Sequence, residues 1–196
     1  MGRLIKHIPN LMTMTNLALG MWSISLLIHQ NNPIRAAMLI LLGAVIDFFD
    51  GNLARKLNVV SDMGKQLDSF ADIITFGVAP VVLINHIYAE HSFSTLVWLA
   101  SMVFIVAGAY RLARFNTMDF SKHFLGLPIP VAGGALTVYT LLQPIWIKHF
   151  QIPVYPKITA LFLILLSIMM ASKKKINRNW RPRNTLSAKN QNGYHK

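Results

Sequence analysis

Residues 44–83 read AVIDFFDGNLARKLNVVSDMGKQLDSFADIITFGVAPVVL and contain five of the seven acidic residues of this 196-residue chain. Four of the five, Asp47, Asp50, Asp68 and Asp72, lie in segments that are otherwise apolar. An ionised carboxylate at membrane depth costs about 2.5–3.5 kcal/mol even on insertion scales, and four together repel one another. A positively charged group must therefore lie beside these carboxylates, and a divalent metal ion is the simplest candidate.

The composition is that of an integral membrane protein. Hydrophobic residues make up 54% of the chain and charged residues 13%, with a mean hydropathy of +0.44. The chain has no cysteine, which excludes disulfides, Cys-ligated zinc and thiol catalysis. The basic residues that give the net charge of +12 lie beside apolar segments rather than in a soluble domain. We therefore expect them to orient the protein in a membrane and not to bind nucleic acid.

Six segments approach the length of about 20 apolar residues that crosses a bilayer. The sequence therefore predicts an all-α integral membrane protein with six transmembrane helices. The sixth segment is short and could begin nearer residue 153. The six segments are residues 11–29, 34–53, 64–86, 93–112, 130–147 and 158–171.

Lysine and arginine are distributed unequally between the two sides of this arrangement. The side with both termini holds 16 of the 19, and the other side holds only Arg35, Lys148 and Lys157. Because such residues are retained in the cytoplasm, both termini are predicted to be cytoplasmic. Residues 1–172 are predicted to form the membrane domain, and residues 173–196 a basic, disordered cytoplasmic tail.

Two pairs of aspartates face one another in the hairpin predicted for the second and third spans. Asp47 and Asp50 are three residues apart and Asp68 and Asp72 four apart, so each pair shares one face of its helix. The short connection places both pairs just inside the cytoplasmic boundary. Four carboxylates there suit two hard divalent cations, Mg²⁺ or Mn²⁺, which can bridge and polarise a phosphate.

Small residues and an arginine stand beside the acids. Gly51, Ala54 and Gly64 leave room for a ligand or another backbone to approach, and Arg55 suits a phosphate or carboxylate through paired hydrogen bonds. Metal ions and a basic clamp indicate a diphosphate substrate, and the membrane setting indicates a lipid. The alternative is that the aspartates only pair with neighbouring basic side chains at the membrane edge.

These positions follow the spacing Asp47-x2-Asp50-Gly51-x2-Ala54-Arg55-x8-Gly64-x3-Asp68-x3-Asp72. The pattern resembles the signature of the CDP-alcohol phosphatidyltransferase family, which is built on six transmembrane helices and usually forms homodimers. The resemblance implies that the four aspartates bind two divalent cations and that Asp72 is the general base. It also implies that Gly51, Ala54, Arg55 and Gly64 help to hold the CDP-diacylglycerol substrate.

The start of the first span carries polar residues. In the family this helix start lies near the nucleotide, so the resemblance makes Asn10 and Thr13 further candidate ligands of CDP-diacylglycerol. Helix capping and packing are the alternative for both residues.

Other parts of the chain indicate which alcohol accepts the phosphatidyl group. Three segments resemble the branch of the family that uses L-serine, and they are residues 68–80, 111–116 and 126–133. Arg111 and Arg114, predicted level with the aspartates, can pair with the serine carboxylate or with a phosphate. Asn116 and Thr75 are candidate polar partners. Two alternatives would also explain Arg111 and Arg114. An acceptor with a phosphate group, such as glycerol 3-phosphate, would bind arginines too, and basic residues are common at the cytoplasmic ends of membrane helices whatever their function.

Two other classes of function stay open. A cation transporter would use membrane carboxylates, but the acids cluster near one surface and the first, fourth, fifth and sixth spans contain no acidic relay. A noncatalytic lipid-binding scaffold would keep its function when Asp72 is replaced by asparagine, whereas an enzyme of the kind described would lose transfer.

Overall fold

The structure is a computed structural model of the chain. It describes residues 8–57, 61–89, 94–117, 126–150 and 155–172. Within the helices, the description leaves out the side chains of residues 8, 50, 52–57, 94 and 145–150. The predicted tail, residues 173–196, also lies outside the described residues, so its role stays a prediction.

Six long helices make up the described part of the chain, in agreement with the predicted all-α fold. Each predicted segment overlaps one of them, and the largest difference is at the end of the fourth, which reaches Thr117 rather than residue 112. The helices are α1 Ile8–Gln30, α2 Pro33–Leu57, α3 Asp62–Tyr88, α4 Ser94–Thr117, α5 Ile129–Phe150 and α6 Pro156–Ala171.

Three stretches within the described residues are long and apolar enough to cross a membrane, namely Pro9–Gln30, Asp62–Tyr88 and Thr95–Thr117. Pro156–Ala171 is apolar but shorter. Large apolar side chains such as Trp22, on α1, are exposed on the outer faces of the helices. These features support an integral membrane protein, while the full six-span arrangement stays a prediction.

Helix α3 changes its hydrogen-bonding pattern in the middle. Asp62–Asp72 is an α-helix, Ile73–Val78 is a π-helix, and Ala79–Tyr88 returns to the α form. At the end of the π segment the amide of Ala79 donates to the carbonyl of Ile74, five residues earlier. Single π turns are rare and often stand at functional sites. This one begins directly after the last of the predicted metal ligands.

A buried polar cluster joins three helices near the end of α3 that lies away from the aspartates. The Thr159 hydroxyl of α6 is 2.7 Å from the Tyr88 hydroxyl of α3 and 2.8 Å from the Tyr139 hydroxyl of α5. A threonine hydroxyl offers one donor and two acceptor sites, so it can bond both tyrosines at once. Thr159 therefore links α3, α5 and α6 inside the core.

Replacing Thr159 by valine keeps the volume of the side chain and removes both hydrogen bonds. We expect the free energy of unfolding to fall by about 1–2 kcal/mol, measured by denaturant titration in mixed micelles. The control is Thr140→Val, because the buried Thr140 hydroxyl bonds only the Leu136 carbonyl of its own helix, at 2.8 Å. An equal loss in both variants would contradict a role in joining helices.

Candidate active site

Three aspartates from two helices meet at one end of the bundle. Helix α2 supplies Asp47 and helix α3 supplies Asp68 and Asp72, and one carboxylate oxygen of each lies within 4.8 Å of the others. Asp72 is only 7% exposed, and its Oδ1 has no hydrogen-bond partner within the described part of the chain. Three of the four facing aspartates predicted from their spacing are therefore brought together by the α2–α3 pair.

This group fits a divalent cation. Carboxylates this close repel one another unless a proton or a cation lies among them, and carboxylate oxygens are the ligands that hard divalent cations prefer. The buried, unbonded oxygen of Asp72 is available as a ligand atom. The side chains at three predicted positions of α2 lie outside the described residues, so their roles stay predictions. These positions are Asp50, Ala54 and Arg55.

The aspartates open onto a cavity of about 490 Å³, a size typical of small-molecule sites. Helices α2, α3 and α4 and the start of α5 form its walls, and Gly51 is part of the α2 wall, where the sequence predicted close approach of the substrate. The lining residues are Ala44, Asp47, Phe48, Gly51, Lys65, Asp68, Ser69, Asp72, Arg111, Leu112, Phe115, Asn116, Pro128, Pro130 and Val131.

Arg111 of α4 brings a buried positive charge to this cavity. Its side chain is 8% exposed, and it lies close enough to Asp72 for the two charges to interact. Its Nε has no hydrogen-bond partner among the residues that the structure describes. Since a buried guanidinium is stabilised by pairing with an anion, Arg111 can hold a carboxylate or phosphate group of a ligand.

Asn116 also lines the cavity, beside two residues that the sequence analysis missed. Asn116 Nδ2 donates to Ser69 Oγ at 2.9 Å, and Ser69 Oγ donates to the Lys65 carbonyl at 3.0 Å. Both Ser69 and Lys65 line the cavity. The signal for them was present, because positions 65, 68, 69 and 72 follow the spacing of one helix face.

Two other predicted ligands of serine or phosphate do not line the cavity. Arg114 donates from Nη1 and Nη2 to the carbonyls of Ala171 and Ser172, at 3.3 Å each, and so ties α4 to the end of α6. Thr75 is fully buried, and its hydroxyl donates to the Asn16 carbonyl of α1 at 3.0 Å. Their predicted contacts with substrate stay predictions.

The two candidates at the start of α1 also lie outside the cavity lining. Thr13 is buried and donates to the Pro9 carbonyl of its own helix at 3.1 Å. Asn10 lies beside Gly64 of α3, where an added Cβ would be 3.1 Å from Asn10 Oδ1. Gly64 therefore allows the starts of α1 and α3 to approach closely, and the predicted nucleotide contacts of Asn10, Thr13 and Gly64 stay predictions.

Comparison with known proteins adds independent information about this arrangement. The family model described as CDP-alcohol phosphatidyltransferase matches residues 6–173, which is most of the chain. The residues that assemble the cavity all fall within this range.

Curated relatives cover much of the same region. A CDP-diacylglycerol–serine O-phosphatidyltransferase of Bacillus subtilis is 41% identical over 136 residues, 68% of this chain and 75% of the relative. A protein of the same name from Methanocaldococcus jannaschii is 33% identical over 184 residues, 86% of this chain and 85% of the relative. An archaetidylserine synthase of Methanothermobacter thermautotrophicus is 32% identical over 170 residues, 84% of this chain and 67% of the relative.

Proposed function

The chain belongs to the CDP-alcohol phosphatidyltransferase family, and we propose that it transfers the phosphatidyl group of CDP-diacylglycerol to L-serine, giving phosphatidylserine and CMP. The observation that carries the proposal is the cavity in which three aspartates and the buried Arg111 meet. It offers cation ligands for a diphosphate and a positive charge for a carboxylate. The names of the relatives support serine as the acceptor, because serine is part of both the phosphatidyltransferase name and the name archaetidylserine synthase.

The diphosphate of CDP-diacylglycerol occupies this cavity while its acyl chains remain in the bilayer. Two divalent cations, Mg²⁺ or Mn²⁺, would be held by the four aspartates Asp47, Asp50, Asp68 and Asp72. When bound, they would neutralise and polarise the diphosphate. Arg55, with the small residues beside it, holds the CDP part of the substrate. The carboxylate triad within the described residues supports this assignment.

Asp72 acts as the general base in the transfer. It accepts the proton of the serine hydroxyl as the hydroxyl oxygen forms a bond to the β-phosphorus, which carries the diacylglycerol. The bond from that phosphorus to the oxygen of the α-phosphate breaks, and CMP leaves with the electron pair. The burial of Asp72 supports this role, because a base screened from bulk water takes the proton of the bound alcohol rather than that of solvent.

Arg111 recognises the carboxylate of serine. Its unbonded Nε and the adjacent Nη form the two-pronged donor that matches a carboxylate. Asn116 of α4 and Ser69 of α3, bonded to each other where these two walls of the cavity meet, are positioned to contact the amino and carboxylate groups of the amino acid. An acceptor that carries a phosphate instead would place a larger, more highly charged group against the same arginine.

The cavity is proposed to open at the cytoplasmic side of a six-span membrane domain. The basic residues Lys65, Arg111 and Arg114 lie at the same end of the bundle as the aspartates, which supports a cytoplasmic location of that end. Both termini are then cytoplasmic, with residues 1–172 in the membrane domain and 173–196 as the tail. The homodimer implied by the family resemblance belongs to the same proposal.

The acceptor is tested with purified protein, CDP-diacylglycerol and Mn²⁺ or Mg²⁺ in mixed micelles. We expect labelled serine to enter the lipid with one CMP released per serine, and labelled glycerol 3-phosphate to enter at least about tenfold more slowly. Failure to incorporate serine would exclude the proposed acceptor, and transfer to glycerol 3-phosphate would identify the alternative one. Ion flux in liposomes that needs no CDP-lipid would indicate a transporter instead.

A further inference from the structure

The π segment Ile73–Val78 of α3 is enclosed by glycines from four different helices. A Cβ added at any of these glycines would come within 4 Å of a residue of the π segment, and together we name them the glycine collar. At Gly43 and Gly108 the nearest atoms belong to Asn16 and Ile129 instead. Its members are Gly20 of α1, Gly43 of α2, Gly108 of α4 and Gly133 of α5. Because small residues let helices approach closely inside a membrane, the collar allows the wider π turn to sit at the centre of the bundle.

The collar has no room for larger side chains. A Cβ added at Gly20 would overlap Thr75 Oγ1, and one added at Gly43 would lie 2.9 Å from Thr75 Cγ2. A Cβ added at Gly133 would overlap the carbonyl oxygen of Phe76 and lie 2.8 Å from its Cα. The π turn is therefore held by direct contact from α1, α2 and α5.

One hydrogen bond attaches the π turn to α1. The Thr75 hydroxyl donates to the Asn16 carbonyl at 3.0 Å, and both residues are fully buried. A hydrogen bond in this apolar environment fixes the rotation of the turn about its own axis, whereas the apolar contacts only fill the space around it. Thr75 therefore sets the orientation of the π turn relative to α1.

The π turn changes which side chains share a face of α3. In an uninterrupted α-helix, Asp72 and Thr75 are three residues apart and lie on one face. A π turn has i→i+5 hydrogen bonds and holds an additional residue, so it rotates the helix before it relative to the helix after it. Asp72 lines the cavity, while Thr75 bonds α1 and does not line it.

We propose that Thr75 is a positioning residue, which through its bond to Asn16 holds the π turn and so directs the Asp72 carboxylate toward Asp47 and Asp68. The proposal rests on the proposed function only in assigning metal binding and catalysis to this aspartate group. Thr75 itself is not among the residues that line the cavity. It acts by fixing the end of the helical segment that carries two of the three carboxylates.

The test compares Thr75→Val, which keeps the shape and loses the hydroxyl, with Thr75→Ser, which keeps the hydroxyl. We expect the Kd for Mn²⁺, measured by electron paramagnetic resonance without substrate, to rise about tenfold in the valine variant, as for other residues that orient metal ligands. The serine variant should stay within about threefold of wild type. In turnover, Thr75→Val should lower kcat and leave the KM for serine unchanged.

Two further variants keep the test decisive. Thr140→Val loses a buried hydroxyl whose bond lies within its own helix, and its Mn²⁺ affinity should match wild type. A Cβ at Gly43 would lie 2.7 Å from Asn16 Oδ1 and 2.9 Å from Thr75 Cγ2. Gly43→Ala therefore pushes on both residues of the hydrogen bond without removing the hydroxyl, and it should weaken Mn²⁺ binding even if Thr75→Val fails to fold.

Wild-type Mn²⁺ affinity in folded Thr75→Val or in Gly43→Ala would overturn the proposal, and so would equal losses in the valine and serine variants. Failure of the wild-type protein to use serine would overturn the proposed function alone. The Mn²⁺ affinities would still decide the role of Thr75, because they are measured without either substrate.

Discussion

Replacing Asp72 by asparagine is expected to lower the transfer of labelled serine into lipid by a factor of about 10²–10⁴. Asparagine matches aspartate in size, but it cannot accept the proton of the serine hydroxyl and it carries no charge to hold a divalent cation. The loss should appear in kcat, measured with purified protein and CDP-diacylglycerol in mixed micelles.

The matched control is Asp62→Asn on the same helix. Asp62 is 97% exposed and pairs with Lys65 at 2.9 Å, outside the carboxylate triad. Because exposed ion pairs contribute little, its turnover should stay within about twofold of wild type. Wild-type turnover by Asp72→Asn would contradict the general-base assignment. A wild-type protein without transfer activity, whose function in cells survives Asp72→Asn, would favour a lipid-binding scaffold.

Replacing Arg111 by lysine is expected to raise the KM for serine by about 10–100-fold, because a hydrogen bond to a charged group contributes about 1.5–3 kcal/mol. Lysine keeps the positive charge but loses the planar pair of donors that matches a carboxylate. The KM for CDP-diacylglycerol should change much less. Saturation curves for each substrate, with the other held in excess, measure both effects.

The neighbouring Arg114 supplies the comparison, because it is on the same helix and bonds the carbonyls at the end of α6 instead of lining the cavity. Arg114→Lys should leave the KM for serine unchanged and lower the unfolding temperature in detergent. If Arg111→Lys instead raised only the KM for CDP-diacylglycerol, the arginine would belong to the diphosphate site and not to the serine site.

Much of the architecture could be predicted from local patterns. The apolar segments coincide with the six helices, because burial of backbone hydrogen bonds in a membrane requires continuous helix. The spacing of Asp68 and Asp72 placed both on one face of α3, and the short α2–α3 connection brought Asp47 to them. The same spacing also contained Lys65 and Ser69, which were not predicted as site residues but line the cavity.

The assignment of the remaining polar residues depended on contacts between distant parts of the chain. Arg111 and Arg114 have the same charge and lie in one short motif, yet one lines the cavity and the other caps α6. Thr13 donates to a carbonyl of its own helix and is not among the residues that line the cavity. Sequence spacing alone does not distinguish these cases, because it does not reveal which neighbouring helix occupies each face.

The sequence by itself indicated the six apolar helices, the carboxylates of the site and the family, since these follow from composition and from spacing along single helices. The tertiary structure alone decided that Arg111 rather than Arg114 lines the cavity and that Thr75 bonds α1 instead of lining it. The physical reason is that both depend on which helix packs against each face and, for Thr75, on the π turn. The π turn is accommodated by Gly20, Gly43, Gly108 and Gly133, which lie far apart in the chain and meet only when the helices pack.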